Sequence, residues 1–590
     1  MNTRAVTPIH ATPLRAIRHV RFAFLAAALW GAAVPWGSSA SEGSKGSFFA
    51  YRSFWPEFSA MRQFKEAGVN TVCIFPANTA NSLGQPYCKY PPVWRWFGKY
   101  DLDSLNKQFD DVLAVNPGAG YICMIDLNTP LWLQRQLALG GHSAECESFT
   151  MLSCACANPA WRKATGEYLE AVVKHMEARY GDRVRAYLPA CGQTDEWMDY
   201  SRGAAGRTKT QAWRAWLQAH GKAEVPVPAL ERLDRASFDD LIRDPATEQD
   251  VVDYAQFTGD LVADTVLEFA AKTRALIPKH RQIGMFFGYI LELTNSRLVW
   301  AGHLEYEQLY RSPYIDFFVS PGTYGDRPMG GGSGFMVPNG TRRLHNKGFL
   351  HEIDHRTPTY NVKLDEFVSI GWMVPWKDQA QTNAGLKREF ALAIINQASL
   401  WCFDMWGGVF QTPETMRLVE QSKKLWDQYG ATPLKSRAEV ALVVDPHSAR
   451  YLNDLHPAIP RSSAGGSAAV PADGFSRAVC GHTGEVGGAQ AARVPGQSDG
   501  VVRLRARHLR REEPGSGAGE SSDRQRVQDA RYQNGAAGWL DRGLRAAIRR
   551  PYSAGLAASG GRGGRDDRLP GRGAGIRQRA SAGDPYGARR

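Results

Sequence analysis

Carboxylates recur in this chain at the ends of short apolar runs. Asp126 ends Tyr121–Asp126, and Asp195 and Glu196 follow Arg185–Ala190 inside Gly192-Gln193-Thr194-Asp195-Glu196-Trp197. Glu352 lies in Gly348–Ile353 with Asp354 just beyond, and Asp404 ends Leu400–Asp404. Two carboxyl groups flanking a glycosidic bond suffice to cleave it: one protonates the leaving oxygen, the other attacks or activates water. A single strand-end Glu proves little, because many cap helices or pair with cations. Glu196 and Glu352 gain weight as a pair, once the elements that carry them are laid out.

Between residues 46 and 432, short β-branched or aromatic runs alternate with amphipathic stretches, the rhythm of βα units. The strands are expected at Phe48–Ser53, Asn70–Phe75, Tyr121–Asp126, Arg185–Ala190, Gln282–Gly288, Ile315–Ser320, Gly348–Ile353 and Leu400–Asp404. The clearest helices between them are expected at Pro56–Ala67, Asp103–Ala114, Pro159–Tyr180, Val251–Leu276, Ala301–Tyr310, Ala384–Gln397 and Pro413–Tyr429. Eight such repeats predict an α/β chain built as a (β/α)8 TIM barrel with insertions. The competing doubly wound sheet would want a Gly-rich phosphate turn after its first strand, and none is present. Barrel chemistry sits at the C-terminal ends of the strands. Strands four and seven lie on opposite sides of an eight-strand ring, so Glu196 and Glu352 are expected to face each other across its mouth.

Aromatic and basic residues near the same strand ends are candidates for substrate binding. Trp132 follows strand three, Trp197 follows Glu196, Tyr324 follows strand six and Trp406 follows strand eight. Indole and phenol rings pack on the apolar faces of sugars, though core packing is the alternative for each of them. Arg52, ending strand one, could bond a catalytic carboxylate, or could pair with Asp354 or Asp404. His355 could orient a carboxylate or be an ordinary loop histidine.

The order and spelling of several segments resemble glycoside hydrolase family 42, the β-galactosidases. Tyr100-Asp101-Leu102-Asp103-Ser104-Leu105 is similar to that family's turn into its second helix, and Asn128-Thr129-Pro130-Leu131-Trp132-Leu133 to its T-P-x-x-W-L element. Cys156-Ala157-Asn158-Pro159-Ala160-Trp161-Arg162 resembles its start of helix three, and Ala178-Arg179-Tyr180-Gly181-Asp182-Arg183 its R-Y-G-D lead into strand four. Ala212-Trp213-Arg214-Ala215-Trp216-Leu217 and Asp253-Tyr254-Ala255-Gln256-Phe257 resemble two further segments, so the likeness runs in order over about residues 46–445. It implies a retaining exo-β-glycosidase acting on oligosaccharides, β-galactosides first, with Glu196 as acid/base and Glu352 as nucleophile. A β-glucosidase, β-mannosidase or arabinosidase on the same barrel is the enzymatic alternative, and an inactive sugar-binding barrel the non-enzymatic one. The likeness also implies a Trp under the reacting sugar, a place that Trp406 fits.

One departure matters. The family carries Asn before its acid/base, where it can bind the sugar's 2-hydroxyl; here Asp195 stands there. An ionised Asp accepts hydrogen bonds but donates none. Its charge would also raise the pKa of Glu196. The identity of the sugar therefore stays open.

Nine cysteines are present, of which Cys73, Cys123, Cys191 and Cys402 lie in strand-like runs as ordinary buried thiols. Cys146, Cys154 and Cys156 cluster in one loop, with Cys88 a distant fourth. Some family-42 enzymes hold a structural zinc with cysteines in this region, so these four are zinc candidates. Disulfides among them, suited to an exported protein, and free thiols are the alternatives. The expected chemistry itself calls for no cofactor.

At the N-terminus, Arg15, Arg18 and Arg21 precede the apolar run from Phe22, and Ser38-Ser39-Ala40 offers small residues for cleavage. Residues 1–40 are thus expected to be a signal peptide, sending the protein to the periplasm or outside the cell. No second run approaches membrane length, so no membrane contact is expected after cleavage. Residues 433–456, opening with Ala438–Asp445, read as the start of a second α/β domain that is cut short. Since the family often forms trimers through that domain, the oligomeric state stays open. From Pro457 onward the chain holds 23 Arg, no Lys and 12 acidic residues, which accounts for +11 of the formal +12. The remainder is near neutral and offers no footprint for a nucleic-acid backbone. Residues 457–590 are expected to be disordered, because Gly/Ala/Arg-rich chain buries too little apolar surface to offset its entropy. Such an abrupt change of composition also fits a gene read out of frame.

Overall fold

The computed structural model describes residues 47–453 apart from 56, 79–86, 140–145, 293–295, 325–326, 365–373, 433 and 435–444. The expected signal peptide, the strand opening at Ala438 and the tail from Pro457 lie outside the described residues.

Eight parallel strands close into a barrel. In chain order they are Phe49–Arg52, Thr71–Ile74, Gly120–Asp126, Val184–Ala190, Gln282–Phe286, Phe317–Pro321, Gly348–Ile353 and Ser399–Phe403, called here strands one to eight. Strand one closes the ring on strand eight with Phe49 opposite Leu400 and Arg52 opposite Phe403. The eight expected strands thus all form, each end within two residues of its expected place. They were readable because a parallel strand covered on both faces is a continuous apolar run. All seven residues of strand three, Gly120–Asp126, are buried.

Helices between the strands start where the sequence offers caps. Asn158 accepts from the amides of Ala160 and Trp161 ahead of Pro159–Tyr180, and Asp101 caps Leu102–Val115 through the Ser104 amide. Two helices begin earlier than expected for the same reason. Pro245–Leu276 is capped by Asp244 with Pro in its first turn, and Gln379–Ile395 by Asp378. The helix expected over Ala301–Tyr310 is instead broken into Ser296–Trp300, a short 3-10 turn His303–Glu305 and Tyr306–Arg311. Gly302, at φ +90°, makes the break; a Cβ there would meet Val262 at 2.9 Å.

Between strands four and five the chain inserts Arg207–Ala219 and Leu230–Leu233, which share a small core of their own. Trp213, Leu217, Leu233, Tyr254, Phe257 and Trp300 form its centre. The last described segment, the 3-10 turn Ser448–Tyr451, lies against this region. The Arg243 amide donates to the Tyr451 carbonyl at 2.7 Å, and buried Arg450 pairs with buried Glu305. A two-stranded ribbon, Trp94–Trp96 with Lys99–Tyr100, follows strand two. No helix among the described residues is long and apolar enough to cross a membrane.

Candidate active site

Glu352 is the penultimate residue of strand seven and is 3% exposed. Its Oε2 accepts from Arg52 Nη1 and, at 2.7 Å, from Trp401 Nε1. Arg52 ends strand one, which strand eight alone separates from strand seven, so the pair spans strand eight at the mouth of the ring. The guanidinium lies 4.0 Å from the ring centre of Phe403 and 4.9 Å from that of Trp401, and its other nitrogen reaches Met124 Sδ at 3.4 Å. Arg52 thus binds Glu352, and the pairings with Asp354 or Asp404 that its position also allowed do not form. Asp354 pairs with Arg327 at 2.9 Å and Arg356 at 3.5 Å, which holds its carboxyl below the usual range despite burial. Asp404 accepts from Tyr51 Oη at 3.0 Å and the Val409 amide at 2.8 Å, tying down the loop after strand eight.

Glu196 sits on a very different support, a tight turn after strand four. Thr194, Asp195 and Trp197 all have positive φ, at 54°, 62° and 56°. Left-handed backbone is costly for such residues and persists only where the surroundings enforce it. Here the enforcement is visible. Gln193 and Met198 form an isolated bridge, and the Trp197 amide donates to the Cys191 carbonyl at 2.7 Å. Gly192, at φ +76°, leaves no room for a Cβ, which would meet the Met198 carbonyl oxygen at 2.9 Å.

His303 clamps the turn from the side of strand five. Its Nδ1 accepts from the amides of Gly288 and Tyr289, both at 3.2 Å, so the proton of the neutral ring is on Nε2. Nε2 therefore donates to the Glu196 carbonyl oxygen at 3.0 Å. The Glu196 side chain accepts from Tyr289 Oη at 3.2 Å and from Thr194 Oγ1.

The two carboxyls share one electrostatic site. Burial raises the Glu196 pKa to about 7, and the next largest cause is the charge of Glu352. Burial also raises Glu352 to about 7, while Arg52 opposes that rise. Two neighbouring buried carboxyls resist being ionised together, so one proton is favoured between them. Arg52 and Trp401 both donate to Glu352, whereas the side-chain donors on Glu196 are neutral hydroxyls. The charge therefore belongs on Glu352 and the proton on Glu196.

Asp195 departs from expectation. It is fully buried, accepts from Asn128 Nδ2 at 2.8 Å and stands in hydrogen-bonding contact with Asp126. Burial first, and then the charge of and hydrogen bond to Asp126, raise its pKa well above its ordinary value. The raised pKa of Glu196 comes from burial and Glu352, not from a charge on Asp195.

The aromatic candidates divide. Trp406 is 2% exposed and packs on Phe54 at 5.3 Å between ring centres, with its indole nitrogen unbonded. Tyr324 lies under Arg327 at 4.1 Å and feels the charges of Asp354 and Glu196, which puts it beside the carboxyls. Trp197 is not a rim residue. Positive φ turns it inward, where it is fully buried against Phe269 and donates to the Pro189 carbonyl at 2.9 Å. Trp132 is half-buried, and its ring partners, Trp94, Trp96 and Phe97, belong to the ribbon. His355 stacks on Trp376 and contacts the buried carboxylate of Glu389 at 3.3 Å, which His351 also reaches at 2.9 Å.

The zinc expectation is not met. Among the described residues no group of three or more His, Cys, Asp or Glu could hold a metal ion. Cys88 donates to Gln108 Oε1, Cys146 accepts from Asn158 Nδ2 and Cys154 donates to the Ala204 carbonyl. Cys156 lies near Arg162 and Thr265. Their sulfurs thus have separate surroundings. The eight described cysteines form no disulfide with one another, so the disulfide alternative fails here as well.

Tyr289, His303, Trp401 and Tyr87 belong to the site and were not singled out in the sequence. A scan of strand-end loops for hydroxyls, beside carboxylates, would have found Tyr289.

No family model matches the chain, and no curated protein does. Solved structures with a similar fold include the β-galactosidase of Bacillus circulans sp. alkalophilus, at 12% identity and a TM-score of 0.42. That of Rahnella sp. R3 has 13% identity and a TM-score of 0.42, and each match covers 70% of this chain and 60% of the other. The catalytic domain of the β-amylase of Paenibacillus polymyxa is matched over 99% of its length and 66% of this chain, at 10% identity and a TM-score of 0.41. The chain thus spans about 60% of the length of those two β-galactosidases.

Proposed function

We propose that this chain is a retaining β-glycosidase that releases terminal sugars from β-glycosides, β-galactosides first. One observation carries the reading: a cation-held carboxylate, Glu352, is buried beside a carboxyl without a cation, Glu196, at the ends of strands seven and four. The first is prepared to attack, the second to give up a proton.

In the first step a Glu352 oxygen attacks the anomeric carbon and the bond to the leaving oxygen breaks. That oxygen takes the proton of Glu196. The sugar is then esterified to Glu352, and Glu196 is a carboxylate. In the second step Glu196 removes a proton from water, the hydroxide attacks the same carbon, and Glu352 leaves as a carboxylate. Arg52 and Trp401 hold Glu352 in line through both steps. Trp406 supplies an apolar face for the sugar, and Tyr324 lines the same space.

A panel of nitrophenyl glycosides tests the reading on the wild type, Glu352→Ala and Glu196→Ala. Loss of turnover in both variants, with azide restoring it to Glu196→Ala as a β-azide, supports it. Variants as active as the wild type overturn the residue assignment.

A further inference from the structure

The ribbon after strand two leaves part of its aromatic surface in water. Trp94 and Trp96 both turn toward Trp132, with ring centres 5.5 and 4.8 Å away. Trp94 is the inner of the two, buried and stacked on Tyr168 at 4.6 Å with planes 4° from parallel. Trp96 lies further out and is 38% exposed. Gly98, at φ +63°, turns the chain back and leaves Phe97 at the tip, 43% exposed and 5.1 Å from the same Trp132 ring. The Trp132 indole nitrogen donates to the Trp94 carbonyl at 3.2 Å, which fixes the helix bearing Trp132, Leu131–Leu139, to the ribbon. Trp96, Phe97 and Trp132 thus form one rigid, partly open apolar surface, the kind that marks a binding site.

That surface stands at the mouth of the barrel. Asn78, after strand two, donates from its backbone amide to Asp126 Oδ2 at 2.6 Å and from Nδ2 to the Asp126 carbonyl at 3.0 Å, while its Oδ1 accepts from the Trp94 amide at 3.1 Å. Asp126 is the last residue of strand three. Its other carboxylate oxygen accepts from the Asn128 amide at 2.8 Å, and Asn128 Nδ2 donates to Asp195 Oδ1, next to Glu196, at 2.8 Å. Hydrogen bonds therefore run without a gap from the ribbon to the turn that carries Glu196. Strand three neighbours strand four and lies diametrically across the ring from strand seven. The aromatic surface is accordingly on the Glu196 side, away from Glu352. Attack on the anomeric carbon expels the leaving oxygen on the face opposite the nucleophile, so the leaving group departs toward the acid's side.

The charge around the rings is balanced. Arg95 pairs with Asp101 at 3.1 Å, and residues 91–103 hold two basic and two acidic side chains. Flat rings in a neutral setting suit the apolar face of an uncharged sugar, whose hydroxyls stay in water at its edge. Building on the glycosidase reading, we propose that Trp96, Phe97 and Trp132 form a second sugar-binding site, which stacks a pyranose of the leaving group beyond the bond that is cut. The substrate class is then the end of a β-linked oligosaccharide or polysaccharide rather than a glycoside of a small aglycone.

The test compares kcat/KM on the nitrophenyl β-glycoside that the wild type hydrolyses best with that on the β-linked di-, tri- and tetrasaccharides ending in the same sugar. Trp96→Ala and Phe97→Ala are expected to lose roughly 3- to 10-fold on the tetrasaccharide, the worth of one aromatic contact, and progressively less on the shorter substrates. Trp96→Phe, which keeps a ring, should recover most of that loss. Equal losses at every length, or no loss at any, overturn the proposal. Should Trp96→Ala fail to fold, Phe97→Ala at the exposed tip still decides. A wild type inactive on all these substrates would count against the glycosidase reading alone. Native electrophoresis through gels holding galactan, galactomannan or hydroxyethyl cellulose then judges the site. Retardation of the wild type by one of them, lost in Trp96→Ala, supports it, and equal migration overturns it. An oligomeric wild type that Trp96→Ala turns into a monomer, by light scattering, would assign the rings to a second copy of this chain and overturn the proposal as well.

Discussion

The ends of strands four and seven carry the same chemical group in opposite settings. At strand seven, Glu352 extends from regular β-structure into a guanidinium sandwiched between aromatic rings. At strand four, Glu196 rides a left-handed turn braced by a bridge, a glycine and a histidine, with only hydroxyls on its side chain. Nothing intrinsic to glutamate makes one a nucleophile and the other an acid. On the proposed reading the surroundings assign the roles, by placing a cation on one carboxyl and withholding it from the other. They also assign rigidity: Glu352 is fixed through its side chain, Glu196 chiefly through the backbone of its turn.

The hardest way to break this contrast is to remove Glu352. If Glu352 forms the covalent link as proposed, Glu352→Ala should lower kcat on the order of 10⁴-fold or more in steady-state assays. Glu196→Ala should cost roughly 10²- to 10⁴-fold on poor leaving groups and far less on a dinitrophenyl glycoside, which leaves without a proton. Equal losses on both substrates would remove the acid role.

Replacing Arg52 sharpens the comparison. Arg52 lowers the pKa of Glu352 and, more weakly placed among the causes, that of Glu196. Arg52→Met should therefore raise both, so the whole bell of kcat/KM moves to higher pH and activity falls most on the acid side. Loss of the buried cation should also cost about 3–5 kcal/mol of stability, read by urea melts. Tyr289→Phe removes a donor that lowers Glu196 alone. Only the alkaline limb should move, upward, by an amount worth about 1 kcal/mol or less. The smallest effect is expected from Trp197→Phe, which deletes the bond to the Pro189 carbonyl while keeping the ring in the core. A loss of about 1 kcal/mol in stability with an unchanged KM would agree with its buried position. A rise in KM would restore it to the rim.

The barrel was legible because its strands are buried on both faces and its helices carry caps. Glu196, Glu352 and Arg52 were legible because strand ends are where barrels place polar side chains. What could not be read was backbone handedness. Nothing in Thr194-Asp195-Glu196-Trp197 announces three positive φ values, and they turn Trp197 into the core rather than toward solvent. Neither could the partner of a buried charge be read. Asp195 spells an anion, and only the fold shows the burial and the contact with Asp126 that raise its pKa. Trp401 reads as core within an apolar run, and its indole nitrogen reaches Glu352 only because strands seven and eight are neighbours in register, Trp401 opposite Glu352.

The turn at Ser448–Tyr451 sets a practical limit on trimming this enzyme candidate. Glu305 is 5% exposed, and the cation that pairs with it among the described residues, Arg450, arrives from 145 residues downstream. A gene shortened at the last barrel helix, Pro413–Tyr429, would express a barrel with an anion sealed inside and its counter-charge left on the discarded piece. Anyone seeking the smallest soluble version should keep the chain through Asn453, whose amide donates to the Leu241 carbonyl at 2.8 Å and fastens that piece in place.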